Sequence, residues 1–307
     1  MQPILGFHFS ESPPTKIPFK IGLGSYEIDI PPGAKNYVVR DSYVLPVDVD
    51  VLAVLPHAHY LGKELKGFAT LPDGSRKWLF LIKDWNFNWQ GDYRYVKPLF
   101  LPKGTTVVME YRYDNSADNA RNPNQPPKRV KYGLQTTDEM AGLTIQVLPN
   151  SPKDLEIISR DYQYRVLRDV VAYNEYLLRA KPDDARAHTQ LGKAMLIQGR
   201  NTEALKHFRA AVQARPDYDE PHYHLGLIFD EQKKMIEARR EYEWALRINP
   251  DNFEAHNNLG LLFLQLGDLP QAEFHLTNVI RINPDDAIAR ENLRLVEQAK
   301  GAVRKSR

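Results

Sequence analysis

The chain has 307 residues, of which 42% are hydrophobic and 26% are charged, as in globular proteins with room for two domains. Its 41 basic and 39 acidic residues leave a net charge of +2, which gives no electrostatic basis for binding nucleic acid or an anionic membrane. No apolar run approaches the roughly 18–20 residues of a membrane-spanning helix. The absence of cysteine excludes iron–sulfur clusters, thiolate zinc sites and blue copper.

Residues 1–26 are predicted to be a connector. Four prolines, Pro3, Pro13, Pro14 and Pro18, favour an extended segment over the start of a core. His8 lies in this segment and has no assigned role. No signal peptide is visible, because the start lacks a basic segment and a long apolar core.

Residues 27–150 are predicted to form an antiparallel β-sandwich. The clearest turn is Asp73-Gly74, since this pair favours the positive φ angles of a tight hairpin. A long polar loop at residues 114–131 is either functional or a solvated excursion. Many short strands, with no helical periodicity before residue 154, favour a sandwich. The predicted strands are residues 21–30, 37–43, 47–54, 65–71, 77–82, 93–96, 105–113 and 142–148.

Two histidines, His57 and His59, stand two residues apart in a β-prone stretch. Residues at this spacing point to the same side of a strand, so the two imidazoles lie side by side. Such a pair is half of a metal site, although two ordinary histidines near a sheet surface fit the pattern as well. Met140 opens the last predicted strand and is a candidate third ligand, but the sequence spacing does not establish contact.

After residue 151 the hydrophobic period changes from 2 to 3.6, which indicates helices. Four prolines and three Leu-Gly pairs recur at a spacing of 34 residues. This pattern resembles the tetratricopeptide repeat, a helix–turn–helix unit that buries its core by stacking. We predict repeats at 185–218, 219–252 and 253–286, a linker and capping helix at 151–184, with the helix at 161–180, and a capping helix with a basic tail at 287–307. The prolines are Pro182, Pro216, Pro250 and Pro284, and the pairs begin at Leu191, Leu225 and Leu259.

Three further histidines, His188, His222 and His256, share the same spacing of 34 residues. We interpret them as packing residues instead of metal ligands, because the repeat itself explains their recurrence. The predicted concave groove mixes polar and apolar side chains and lacks the Lys/Asn set that clamps chaperone-tail carboxylates. We therefore predict a protein partner of another kind. The predicted groove positions are Thr189, Tyr223, Asn257, Lys193, Leu227 and Leu261.

Residues 27–149 resemble the C-terminal catalytic-copper domain of the copper type II, ascorbate-dependent monooxygenases, the family of peptidylglycine α-hydroxylating monooxygenase and dopamine β-monooxygenase. The resemblance rests on Ile30-Pro31-Pro32-Gly33, the stretch from His57 to Lys63, the region 87–90 and Asp138-Glu139-Met140.

The resemblance implies a jelly-roll-like sandwich and one copper ion bound by His57, His59 and Met140. A thioether favours Cu(I), while imidazoles accept both oxidation states. In the family this copper supports O₂-dependent hydroxylation of a C–H bond in a substrate, with electrons from ascorbate or another reductant.

The sequence also departs from the family. The three-histidine domain that receives electrons is absent, so we expect an oxidoreductase that is incomplete on its own, with residues 1–26 as the tail of a missing domain. Peptide-amidating members carry an Arg and a Tyr where this chain has Leu55 and Thr144, so a peptidylglycine substrate is not expected. The family works outside the cytoplasm, which implies a periplasmic or secreted location.

Two hypotheses therefore stand. In the first, a copper monooxygenase domain is fused to a tetratricopeptide interaction module. In the second, the chain is a non-catalytic repeat scaffold that uses the β-sandwich as a platform. Copper analysis of His57 and Met140 variants separates the two.

Overall fold

The computed structural model describes residues 16–305 of the chain. Most of the predicted connector, with His8, lies outside this range. The chain divides within one long helix into two compact units, the first ending at Arg168 and the second beginning at Asp169. No described helix is both long enough and apolar enough to cross a membrane.

The first unit is built mainly of antiparallel strands. Their bounds are β1 Phe19–Gly24, β2 Asp29–Ile30, β3 Tyr37–Val44, β4 Val49–Ala58, β5 Gly62–Thr70, β6 Arg76–Ile82, β7 Tyr93–Leu101, β8 Thr106–Tyr113, β9 Val130–Lys131 and β10 Ala141–Pro149. One four-stranded sheet has the order β1-β10-β4-β7, a second has the order β3-β8-β5-β6, and β2 pairs with β9.

The two four-stranded sheets share one apolar core. Buried and partly exposed residues alternate along β10, as expected for a strand with one face in the core. Residues from both sheets, such as Ile145 of β10 and Met109 of β8, belong to the same buried cluster. The sequence prediction of an antiparallel β region is confirmed in this form, with β4 and β10 at the centre of one sheet.

The N-terminal strands differ from the prediction. The single strand expected at residues 21–30 is interrupted, because the Gly24 amide donates to the Asp41 carboxylate and the Glu27 amide to the Ser25 hydroxyl, which forms a turn. β1 also lies inside the expected connector, where it pairs with β10 along its whole length. The sheet therefore begins before the expected boundary.

The predicted loop at residues 114–131 is more ordered than its composition suggested. Its last two residues form β9, with Val130 opposite Ile30 of β2. The Asn115 side-chain amide, which is fully buried, donates to the carbonyl groups of Ile30 and Lys128. A purely solvated excursion is therefore the wrong interpretation of this segment.

Helices make up the second unit and the end of the first. Their bounds are α1 Pro152–Ala180, α2 Ala185–Ile197, α3 Asn201–Ala214, α4 Asp219–Glu231, α5 Met235–Ile248, α6 Phe253–Gln265, α7 Leu269–Ile282 and α8 Ala287–Lys305. The pairs α2/α3, α4/α5 and α6/α7 fall within the three predicted repeats. α1 begins nine residues before its predicted start at residue 161. The Ser151 hydroxyl accepts a hydrogen bond from the Asp154 amide and caps the helix, while Pro152 suits its first position.

Glycines let the two helices of each repeat approach closely. A Cβ atom added at Gly226 of α4 would lie 2.5 Å from the Tyr242 ring of α5. The same relation joins Gly192 to Phe208 and Gly260 to Leu276. The recurring Leu-Gly pair therefore has a packing cause, since only glycine leaves room for the partner side chain.

Candidate functional site

His57 lies near the end of β4 and His59 lies one residue beyond it. Their ring centroids are 5.2 Å apart, with the rings nearly perpendicular. His59 is 4% exposed, and burial lowers its pKa, against the opposing effect of the Asp138 carbonyl. The structure therefore brings together the two imidazoles that the sequence singled out.

Each of the two imidazoles is held through its Nδ1 atom. The His57 Nδ1 lies 2.6 Å from Gln90 Oε1, and the Gln90 amide is oriented by its own donation to the Phe87 carbonyl. The His59 Nδ1 lies 3.1 Å from the Asp138 carbonyl oxygen. Because both partner oxygens only accept, Nδ1 carries the hydrogen, and a neutral ring then keeps the lone pair on Nε2. Metal-binding histidines in proteins are commonly oriented in this way.

Met140 lies beside His59 at the end of the β4–β10 ladder. Ala58 pairs with Ala141, so His59 and Met140 occupy the next opposed position. Oxygen Oε1 of Glu139 accepts hydrogen bonds from the backbone amides of both residues. The two amide nitrogens are therefore within about 6 Å of each other. All three predicted ligands belong to this one end of the sheet.

Glu139 organises the backbone around the histidine pair. Its carboxylate is fully buried, and Oε2 accepts from the Leu61 amide at 2.9 Å. Burial raises the pKa of Glu139 to about 8, against the opposing effect of the amides of Met140, His59 and Leu61. The sequence analysis noted Glu139 only as part of a motif, because a lone acidic residue gives no sign that its side chain turns inward.

A second segment, residues 84–90, covers the histidines. The Phe87 ring lies 5.4 Å from the His59 ring, and the buried Trp85 indole donates to the carbonyl groups of Ala58 and His59. Arg121 fixes this segment with two bonds to the Asp84 carboxylate, at 2.9 and 3.0 Å. The long loop that contains Arg121 therefore supports the histidine site.

The donor set around the histidines is limited. Across the part of the chain that the structure describes, no three histidine, aspartate or glutamate side chains are arranged for a metal ion. A mononuclear metal at His57 and His59 would therefore need the Met140 thioether or solvent as a further ligand. Two imidazoles and a thioether suit copper better than the hard cations Mg²⁺ and Ca²⁺.

Each repeat histidine meets one side chain from the second helix of its own repeat. The Nδ1 atoms of His188 and His207 are 3.1 Å apart, and those of His256 and His275 are 2.9 Å apart. In the middle repeat, His222 Nδ1 lies 2.8 Å from Glu241 instead. These contacts support the packing interpretation of the histidines that recur every 34 residues. The pairing partners also recur at this spacing, a regularity that the sequence analysis missed.

The predicted groove positions are not equivalent. Thr189 is fully buried and its hydroxyl donates to the Ala185 carbonyl, so its assignment to the groove surface is wrong. Lys193 pairs with Glu220 at 2.7 Å. The Asn257 amide oxygen accepts from Asn292 of α8. The remaining positions, Tyr223, Leu227 and Leu261, are partly exposed.

Three stacked helix pairs in a 34-residue frame define a helical repeat array. Family models of the tetratricopeptide repeat match residues 192–233, 229–267 and 253–286. The region 192–286 therefore consists of tetratricopeptide repeats, as the sequence predicted. No curated protein sequence matches the chain.

Solved structures with similar helical arrays share little sequence with this chain. The crystal structure of MamA is 22% identical, with 46% of this chain and 84% of MamA covered and a TM-score of 0.41. The first tetratricopeptide domain of Spaghetti (RPAP3), solved with an HSP90 peptide, is 21% identical, with 38% and 95% covered and a TM-score of 0.37. The corresponding NMR structure of the human RPAP3 domain gives 21% identity, 41% and 99% coverage and a TM-score of 0.38.

Proposed function

We propose that the chain is an interaction protein whose repeat array holds a protein partner in its concave groove. The observation that supports this proposal is the partial exposure of Tyr223, Leu227 and Leu261, which occupy equivalent or adjacent positions on successive first helices. Aromatic and aliphatic side chains in a row provide the apolar contacts that dominate partner binding. The partner itself remains to be identified by experiment.

The charges of the groove narrow the chemistry of the partner. Lys193 is neutralised by Glu220, which also accepts from the Tyr218 hydroxyl at 2.6 Å. A lysine that is already paired is a poor clamp for a terminal carboxylate, because binding would first have to break this ion pair. The groove therefore favours a partner segment with apolar anchors over one with an acidic end.

Site-specific photocrosslinking tests this proposal. A photoreactive phenylalanine analogue placed at Leu261 of the full chain should capture a discrete partner, and Leu227→Glu should reduce capture. The matched control places the analogue at Ile236, which is 84% exposed but lies on the second helix of a repeat. Equal capture of the same protein from both positions would contradict binding in the groove.

A second function, copper binding by the β unit, is supported by the orientation of His57 and His59. Both rings are held at Nδ1 by oxygen acceptors, which leaves the two Nε2 lone pairs for another partner. With Met140 these residues fit the donor set of the copper monooxygenases. Bound copper would supply O₂-dependent hydroxylation of a C–H bond, and the β unit would then adopt the jelly-roll-like role that the resemblance implies.

The chain's own residues limit the substrate of such a site. On the sheet face that carries His57, the cross-strand neighbours are Gly142 opposite His57 and Thr144 opposite Leu55. Neither Leu55 nor Thr144 carries a charge. The two positions where peptide-amidating enzymes differ from this chain are therefore direct neighbours, and this patch favours a neutral substrate over a carboxylate.

Copper(I) loading in competition with a chelator tests the metal proposal. Wild-type chain should bind one copper ion, and His57→Ala and Met140→Ala should bind more weakly, with the sulfur scatterer lost from the X-ray absorption spectrum of Met140→Ala. His188→Ala, a histidine of the repeats, is the control and should bind normally. Unchanged stoichiometry and spectra in both site variants would rule out these ligands.

A further inference from the structure

A cavity of about 410 Å³ opens in the helical unit between α3, α4 and α5. Its apolar walls include Phe229 and Trp244, and its polar walls include Arg209, Arg240 and the pair His222–Glu241. None of these residues belongs to the predicted groove positions. The cavity is therefore a site that the groove proposal leaves unassigned.

The middle repeat differs from its neighbours at the buried histidine pair. In the flanking repeats, the Nε2 atoms of His188 and His256 lie 3.0 and 3.1 Å from the carbonyl oxygens of Pro182 and Pro250. His222 makes no such bond with any described residue. Its Nδ1 donates to Glu241, whose carboxylate can only accept, so a neutral ring keeps its lone pair on Nε2. The middle repeat therefore has an unused acceptor at the cavity wall.

Positive charge is in excess around the cavity. The Glu241 carboxylate already accepts from His222 and from Arg240, at 2.8 and 3.1 Å. Burial opposes ionisation of Glu241, but these two partners lower its pKa overall, so it stays charged. Arg209 forms no ion pair within the part of the chain that the structure describes. One exposed guanidinium is thus left to meet an anionic group.

An aromatic surface adjoins this charge. Trp244 is 43% exposed, stacks on His222 with the rings 21° apart, and carries the Arg247 guanidinium 4.9 Å from its ring centre. Phe229 adds a second apolar wall. A ligand that places a carboxylate at Arg209 can therefore bury an apolar side chain against Trp244.

The next frame of the array provides an internal comparison. The residues 34 positions after Arg209, Arg240 and Trp244 are Glu243, Phe274 and Asn278. That frame carries an acid in place of the free arginine and lacks the indole. The combination of charge and aromatic surface belongs to the middle repeat alone among the described frames.

We propose that this cavity binds a segment of a protein partner in which an acidic residue is followed by an aromatic residue. The carboxylate binds Arg209, the aromatic ring packs on Trp244 and Phe229, and a backbone amide donates to His222 Nε2. A peptide fits better than a simple anion, because the site offers an acceptor as well as a donor. The chain thus has a second docking site besides its groove.

Fluorine NMR of the full chain labelled with fluorotryptophan tests this proposal. The probe is a blocked tetrapeptide with a central aspartate–phenylalanine pair, and Trp244→Phe assigns the reporter signal. We expect a saturable shift of the Trp244 signal. Arg209→Ala should weaken binding at least about tenfold, as expected for loss of a hydrogen bond to a charged group. Replacing the probe aspartate by asparagine should have a similar effect.

Arg281→Ala is the matched control, because this exposed arginine pairs with Asp251 away from the cavity. It should bind the probe normally, and both variants should keep the wild-type circular dichroism. Absence of a saturable shift, or equal binding of the asparagine peptide, would overturn the proposal. Phenylacetate binding as tightly as the peptide would also overturn it, since the site would then recognise a small anion instead of a protein segment.

Discussion

At the scale of single residues, Glu139 determines how the ligand-bearing segments of the β unit meet. Its two oxygens accept three backbone amides, from His59, Leu61 and Met140. Tyr113 adds a bond from its hydroxyl to the Met140 carbonyl at 2.7 Å. The position of Met140 is thus fixed from both sides of its peptide unit, without a metal ion contributing.

Glu139→Gln should destabilise the β unit. Both carboxylate oxygens accept amides, so the NH₂ group of glutamine must face a buried donor in either orientation, which costs about 1–3 kcal/mol. Urea unfolding followed by tryptophan fluorescence measures this loss. Asp118→Asn, at an exposed ion pair with Lys35, is the control and should leave the midpoint unchanged. A wild-type midpoint for Glu139→Gln would show that the clamp contributes nothing.

Gln90→Leu should weaken copper binding while leaving the fold intact. The change removes the acceptor that holds His57 Nδ1, and loss of such a supporting partner costs about 10–100-fold in metal affinity. Chelator competition with Cu(I) provides the measurement. Asn88→Leu lies in the same exposed segment without a bond to His57 and serves as the control. Equal affinities for the two variants would argue against a positioning role of Gln90.

At the scale of elements, the repeat array was readable from sequence because each helix pair repeats one packing solution. The glycine, the small alanine and the larger side chain opposite them recur together, so three frames report the same geometry. The β unit offered no such redundancy. β9 has two residues, and its pairing depends on Asn115, whose buried bonds join segments more than 80 positions apart. Periodicity within a short window cannot reveal such long-range contacts.

Gly226→Ala should destabilise the helical unit despite the higher helix propensity of alanine. The new Cβ would lie 2.5 Å from the Tyr242 ring, and Tyr242 is fully buried and has no space to move. Overpacking of this kind typically costs about 1–3 kcal/mol. Thermal unfolding followed by circular dichroism provides the measurement.

Gly301→Ala in α8 is the matched control for Gly226→Ala, because no atom lies within 4 Å of its added Cβ. This change should be neutral or stabilise by up to about 1 kcal/mol, as helix propensity alone predicts. Similar destabilisation by both substitutions would place the cost in the backbone of the helices instead of in the contact between them.

At the scale of the whole molecule, the two units differ in how far sequence determines them. The histidine pair and Met140 could be proposed because a motif marked them, and the structure brings them to one sheet end. Their supports could not be predicted. Gln90, Asp138 and Glu139 act through a ring nitrogen or a backbone amide, and such bonds depend on the fold of distant segments. Residue type therefore identified the possible ligands, and tertiary structure determined their orientation.

The helical unit should lose stability in mild acid. Burial lowers the pKa values of His224 and His275 from 6.5 to about 4 in the folded state. Between these values the unfolded chain binds more protons, so the free energy of unfolding falls as the pH drops from about 6.5 towards 4. For one such histidine the loss at about pH 5 is on the order of 2 kcal/mol. Urea unfolding at about pH 7 and about pH 5, followed by circular dichroism, measures it.

His224→Phe should reduce this acid sensitivity. The His224 ring stacks on Phe208, and its buried Nδ1 has no hydrogen-bond partner, so phenylalanine keeps the stack and loses only the titrating group. The variant should resemble wild type at about pH 7 and be the more stable protein at about pH 5. An equal loss of stability in both proteins would assign the acid sensitivity to other groups, His275 first among them, because its imidazole is also buried against His256.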